Sequence, residues 1–306
     1  MDIAIVICQV VLLAAFAPLV SGVIAKVKND LRMRRGPGVF QPYHNLAKFF
    51  SKQEVVSEHA SWIFRRAPLI VLASSGTALA LMPMVVQNAS GTWAGDLLAM
   101  LFVLALGRFF LALAGLDTGS AFGGMGSSRE MFIAGVAEPV ACLAIFSLFM
   151  QFGTTSPAQM GSLNVLHFST LFSVMAIFMV TLAETTRIPI DNQETHLELT
   201  MVHEAMVLEY SGRSLALVEL AAHVKQMVWF LLIGHLIYPT LAAAGSGASA
   251  IALAALLTMA KVFALGIIVA VLEISVAKMR LFRVTDFFAF GFVLAVLALI
   301  CAVLGV

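Results

Sequence analysis

Seven ionisable side chains stand in stretches that are otherwise as apolar as lipid: Arg108, Lys225 and Lys261 on the basic side, Glu138, Glu184, Glu219 and Glu273 on the acidic side. A charge at the centre of a bilayer costs about 2.5–3.5 kcal/mol on insertion scales. A chain that keeps several of them is pairing them or using them. Glu219 and His223 are four residues apart and share a helix face, with Gln226 three residues on. Histidine changes charge near neutral pH, so this stripe suits a relay. The chemistry that fits is a hydrated line of titratable groups passing protons or another cation. The alternative is a set of buried ion pairs that fixes the register of helix packing.

The segment 185–214 is the most acidic part of the chain. It continues from Glu184 through Arg187, Pro189, Asp191, Glu194, His196 and Glu198 to His203, Glu204 and Glu209-Tyr210-Ser211. Glu194 and Glu198 are also four apart; like charges on one face repel, which raises the proton affinity of at least one. Pro189 predicts a break after the preceding helix. The interleaved Ile188, Ile190, Leu197, Leu199, Met201 and Val202 argue against a simple solvated loop. Nearer the N-terminus, Arg34-Arg35-Gly36-Pro37-Gly38 is a basic run ending in a turn. Tyr43, Leu46, Ala47 and Phe50 then predict a short amphipathic helix on a membrane surface, either a prop or a dock for a soluble partner.

Other patterns carry no chemistry. Asp117-Thr118-Gly119-Ser120 matches an aspartic-protease tetrapeptide, but that site needs two carboxylates sharing a proton. Gly123-Gly124-Met125-Gly126 follows no strand and precedes no Gly-Lys-Ser/Thr, so a tight reversal is expected there rather than a phosphate loop. His203-Glu204 lacks the second histidine of a zinc-protease helix. Cys8, Cys142 and Cys301 have no spacing of a disulfide, zinc or iron–sulfur site, so no metal is expected on this chain.

The elements that must position these groups follow from composition. Of 306 residues, 61% are apolar and 11% charged, against about 25% charged in an ordinary soluble domain. That excludes a cytosolic enzyme, a disordered chain and a nucleic-acid binder. Runs of about 20 apolar residues span a bilayer, and eight are found: 3–25, 67–87, 96–116, 130–151, 166–185, 215–238, 248–274 and 286–305. The first lacks a basic lead and a cleavage site and is read as an uncleaved span. Fifteen basic residues lie in the odd-numbered loops and none in the even-numbered ones. The positive-inside rule puts the odd loops in the cytoplasm and both termini outside. The expectation is an all-α polytopic membrane protein, one integral-membrane domain over 1–306, with cytoplasmic loops 26–66 and 185–214 facing any soluble partner.

Taken together, these loops resemble one family: the large helical membrane-anchor subunit shared by respiratory complex I and the membrane-bound NiFe hydrogenases, formate hydrogenlyase included. Arg34-Arg35-Gly36-Pro37-Gly38 is similar to the family's Arg-x-Gly-Pro run. Glu184-x-x-Arg187-x-Pro189-x-Asp191 with Glu194 and Glu198 is similar to its acidic loop, and Glu209-Tyr210-Ser211 to the Glu-Tyr-Ser that closes it. Gly115–Ser120 and Gly126-x-Ser128-Arg129-Glu130 look like the hydrogenase branch. His196 replaces a usual glutamate, and Leu199–Glu209 is about three residues longer than usual in such loops. The resemblance implies a non-catalytic subunit of an oxidoreductase complex in a prokaryotic cytoplasmic membrane. It would hold hydrogenase-like small and large subunits on the cytoplasmic side, the small one carrying a 4Fe-4S cluster, with a NiFe centre left open and antiporter-like membrane subunits alongside. No quinone is implied for the hydrogenase branch; a quinone-reducing complex I-type subunit and a purely structural anchor are the alternatives. Glu138, Glu184, Asp191, Glu194, Glu198 and Glu209 become coupling candidates by resemblance. Arg108, Glu219, His223, Lys225, Lys261 and Glu273 join them by position. Arg34, Arg35, Gly36, Pro37, Arg187, His196 and Tyr210 are candidates for docking the soluble arm.

Overall fold

The computed structural model describes residues 2–58, 60–82, 86–87, 96–157, 160, 167–191, 201–240, 242–243 and 247–305. Glu194, His196 and Glu198 lie outside the described residues. The described chain is all-helical apart from a two-residue parallel pairing of Val86–Gln87 with Ala242–Ala243. In order, the helices are α1 Asp2–Leu31, α2 Gln41–Ser51, α3 Trp62–Leu81, α4 Leu97–Asp117, α5 Ala121–Phe152, α6 Phe168–Glu184, α7 His203–Val207, α8 Gly212–Ile237, α9 Ala248–Ser275 and α10 Val284–Leu304. Six of them (α1, α4, α5, α8, α9 and α10) are long and apolar enough to cross a membrane; α6 is apolar but only 17 residues, and α3 is 20 residues with Arg65 and Arg66 in its first turn. With α3 and α6 these are the eight predicted runs.

The helix ends follow their local chemistry. Asp96 and Ser120 cap α4 and α5 by accepting from the N–H of Leu98 and Gly123. Gly153 ends α5 at φ 67°, a left-handed conformation that glycine takes without strain. Asp117, at the end of α4, turns its carboxylate onto the start of α3, accepting from Ser61 N–H at 2.7 Å and Phe64 N–H at 3.3 Å. The Asp-Thr-Gly-Ser sequence is therefore a clamp between helices.

The expected reversal at Gly123–Gly126 is not found. The chain turns at residues 118–120, and these glycines lie inside α5. They bring helices close: a Cβ on Gly123 would stand 2.2 Å from the Gly115 carbonyl oxygen, and one on Gly126 2.8 Å from the Ala205 Cβ. The low hydropathy of this stretch reflects close packing.

The amphipathic helix is α2, but its buried side chain is Leu46, while Ala47 and Phe50 face outward. Its Tyr43 hydroxyl donates to the Ala15 carbonyl of α1 at 2.6 Å, three residues before Pro18. At the centre of the bundle α8 packs on α1, α2, α3, α6 and α9, with Met227, Trp229, Phe230 and Leu232 buried. α10 packs on α5 and α6, and α3 on α4 and α8.

Candidate functional site

The buried charges converge. Arg108 of α4 reaches Glu138 of α5 at 2.9 Å with one terminal nitrogen and Glu184, the last residue of α6, at 2.7 Å with the other. Lys225 of α8 stands 3.8 Å from the second Glu184 oxygen. Acid and base thus alternate as Glu138–Arg108–Glu184–Lys225 across four helices.

A second group closes beside it. After α6 the chain turns through Thr185 and Thr186, the latter at φ 52°, and Arg187 N–H bonds back to the Leu182 carbonyl at 2.8 Å. This sends the Arg187 side chain inward. It pairs with Glu273 of α9 at 3.2 Å and donates to Gln226 of α8 at 3.1 Å. Lys28 of α1 holds the other Glu273 oxygen at 3.0 Å. The Ser21 hydroxyl donates to Gln226 Oε1 at 2.8 Å and lies 2.8 Å from His223 Nδ1. Asp191 accepts from Lys278 at 2.6 Å and from the His203 N–H at 3.3 Å.

Both groups border one cavity of about 300 Å³. Glu130 of α5, Glu204 of α7 and Glu219 of α8 line it too, as do Ser74 and Ser75 of α3. Arg187 Nε, Gln226 Nε2 and His203 Nδ1 are buried there with no hydrogen-bond partner among the described residues. Buried polar groups need partners, and a polar cavity of this size has room for several waters to supply them. Chemically, this is an acid–base chain with donors left over, able to hold a proton at many places.

The loop groups show how burial tunes it. Burial, then the neighbouring carboxylates of Glu219 and Asp191, push the Glu204 carboxyl up to about 7. Burial, reinforced by the Lys225 charge, pulls His203 down to about 4, so its imidazole is neutral at pH 7. Burial, with the carboxylates of Asp117 and Glu54 nearby, raises the Tyr210 phenol.

Of the residues singled out in the sequence, Arg108, Glu184, Asp191, Glu219, His223, Lys225 and Glu273 line this cavity. Glu138 joins through Arg108 while its own side chain is 38% exposed. Lys261 stands apart: its amine donates to the Tyr238 carbonyl at 2.6 Å and to Thr240 at 2.8 Å, beyond the C-terminal end of α8. Glu209 is exposed and does not border the cavity. Arg34, Arg35 and Pro37 are exposed, and Gly36 packs tightly on Asn29.

Two docking candidates are not on the surface. Arg187 is committed to the buried group, and Tyr210, 4% exposed, stacks on Phe64 with ring centroids 4.1 Å apart and donates to the Phe64 carbonyl. Ser211 completes that seam by bonding both ways with the Val55 backbone. Sequence reasoning passed over Lys28, Ser21, Glu130 and Lys278. The available signal was four more polar or charged residues beside span ends, which is where a charged cavity begins.

The fold and this cavity define a polytopic, all-helical membrane protein with a charged interior. A family model described as NADH dehydrogenase matches residues 3–304, and the chain belongs to that family. It is 30% identical over 294 residues to hydrogenase-4 component C of Escherichia coli strain K12, covering 95% of this chain and 92% of that one. It is 29% identical over 279 residues to formate hydrogenlyase subunit 4 of the same organism, covering 89% and 90%. An NADH-quinone oxidoreductase subunit of Vesicomyosocius okutanii subsp. Calyptogena okutanii (strain HA) is 26% identical over 227 residues, 68% of this chain and 61% of that one. Among solved structures, a chain of the membrane-bound sulfane sulfur reductase, an archaeal respiratory membrane complex, shares the fold with a TM-score of 0.76 at 20% identity, covering 97% of this chain and 99% of that one. These relatives support reading the chain as a membrane subunit of such complexes.

Proposed function

We propose that this chain is the membrane-anchoring, ion-coupling subunit of a hydrogenase- or formate-hydrogenlyase-type oxidoreductase complex. It is non-catalytic by itself and links electron transfer in a peripheral arm to translocation of protons or sodium. The observation that carries this is the alternating chain Glu138–Arg108–Glu184–Lys225 beside a polar cavity. Two pairs joined end to end share their charges, so a proton added at one end weakens the next pair and passes the disturbance on.

The peripheral arm sits on the side of loops 26–66 and 185–214, with both termini on the opposite side, in a prokaryotic cytoplasmic membrane. The exposed Arg34, Arg35 and Glu209 are our candidates for facing that arm, with Glu194, His196 and Glu198 added by the family resemblance alone. The 4Fe-4S cluster belongs to the small subunit of the arm; this chain carries none. A charge change at the cluster shifts proton occupancy of the loop carboxylates, Glu204 among them, and the cavity carries the shift to Arg108 and Glu138. The higher identity and fuller coverage of the hydrogenase relatives favour that branch, and no quinone enters the proposal.

The test uses the assembled complex in proteoliposomes. Lys225→Met should leave assembly and electron transfer near the parent level while ion uptake falls at least several-fold. Full ion uptake in an assembled Lys225→Met complex would favour a purely structural anchor. Loss of turnover with quinone-site inhibitors would favour the complex I-type alternative.

A further inference from the structure

We propose that the linker between α9 and α10 is a binding site for one anionic phospholipid. α9 packs on α1 and α8, whereas α10 packs on α5 and α6, so the linker 276–283 bridges two separate walls of the bundle. At this bridge lies an open pocket of about 670 Å³ bordered by Lys278, Arg280, Arg283, Asp286 and Phe287. Lys278 is held by Asp191 at 2.6 Å. The Arg280 and Arg283 side chains are exposed and have no side-chain partner among the described residues.

The apolar surroundings select the occupant. Phe282, between the arginines, is 86% exposed. Both helices expose apolar side chains leading away from the linker, Ile268 and Val271 on α9 and Phe290 and Val293 on α10. A basic rim above an apolar band is the order of chemistry along a phospholipid, phosphate first and acyl chains next. A guanidinium fork matches two phosphate oxygens, and two forks three residues apart can hold one headgroup from both sides. With Lys278 paired to Asp191, the two guanidiniums of Arg280 and Arg283 against the single carboxylate of Asp286 still leave the rim positive, which selects an anionic headgroup over a zwitterionic one. An acidic protein segment would use the rim alone and leave the apolar band without a role.

The assembled complex is purified in mild detergent, its lipids are extracted, and phospholipid classes are quantified per complex. Dioleoyl phosphatidylglycerol and dioleoyl phosphatidylcholine are then titrated in native mass spectrometry. The parent should carry at least one more equivalent of anionic lipid than Arg280→Gln/Arg283→Gln and bind phosphatidylglycerol at least tenfold better than phosphatidylcholine. Arg280→Lys/Arg283→Lys, which keeps the charge, should retain most of that preference and shows that the linker still folds. Equal lipid content and equal preference in parent and Gln variant would overturn the proposal. So would release of peripheral subunits from the Gln variant at unchanged lipid content, because the arginines would then be holding protein.

Discussion

At the scale of single residues, Arg108 is the pivot of the buried chain. Its side chain is 7% exposed and carries both Glu138 and Glu184. Removing one partner of a buried pair typically costs about 3–5 kcal/mol, because the remaining charge is stranded. A group placed for stability alone is more cheaply replaced by a packed apolar side chain, so its retention with a half-exposed Glu138 beside it fits use as well as structure. The loop carboxylate Glu204 gives the clearest pH signature. Its ordinary value is 4.5 and burial raises it to about 7. Between these values the folded protein binds the proton more tightly than the unfolded chain, so this group's contribution to stability falls as pH rises from about 4.5 to about 7 and is level above that. Glu204→Gln should flatten the melting temperature of the solubilised complex across that window; an unchanged slope would place the titration elsewhere. The span charges were legible in the sequence because each is an exception in an apolar run. Lys28, Glu130 and Lys278 were not, since each lies at or beside a span end, where a charge ordinarily meets water and only the tertiary fold encloses it.

At the scale of elements, hydropathy showed the helices and their order, but not where polar residues continue them. α5 begins at Ala121, well before the apolar run at 130, because glycine and serine there serve close contact with α4 and α7. Local sequence shows that glycine is present; only the neighbour shows whether it turns or packs. Asp117 is a parallel case, a motif resembling chemistry that turns out to cap the next helix over. Loss of a helix cap costs about 0.5–2 kcal/mol. Asp117→Ala should lower the melting temperature of the solubilised complex modestly. Gly123→Val should lower it more, since its side chain meets the rigid Gly115 carbonyl rather than a movable group. The reverse ranking would mean that the α4–α5 contact yields more easily than the geometry indicates.

At the scale of the whole molecule, the same few charges do two jobs. Of the three span-embedded bases, two meet acids and the third meets a carbonyl and a hydroxyl. Arg108 and Lys225 join a cavity gathered from each helix from α1 to α9, while Lys261 secures the far end of α8. The sequence placed all three inside spans, but which of them share a space depended on helix rotation, which periodicity in an almost uniformly apolar helix does not reveal. The relatives support a membrane subunit of hydrogenase-type complexes, and the proposed coupling runs along the alternating chain Glu138–Arg108–Glu184–Lys225. The most direct test is the number of ions moved per electron pair by the assembled complex in proteoliposomes, compared between the parent and Glu184→Gln. The variant should keep electron transfer but lose most of the ion movement, because the carboxylate shared by Arg108 and Lys225 no longer carries charge. An unchanged ratio in a fully assembled Glu184→Gln complex would contradict coupling through this chain of charges.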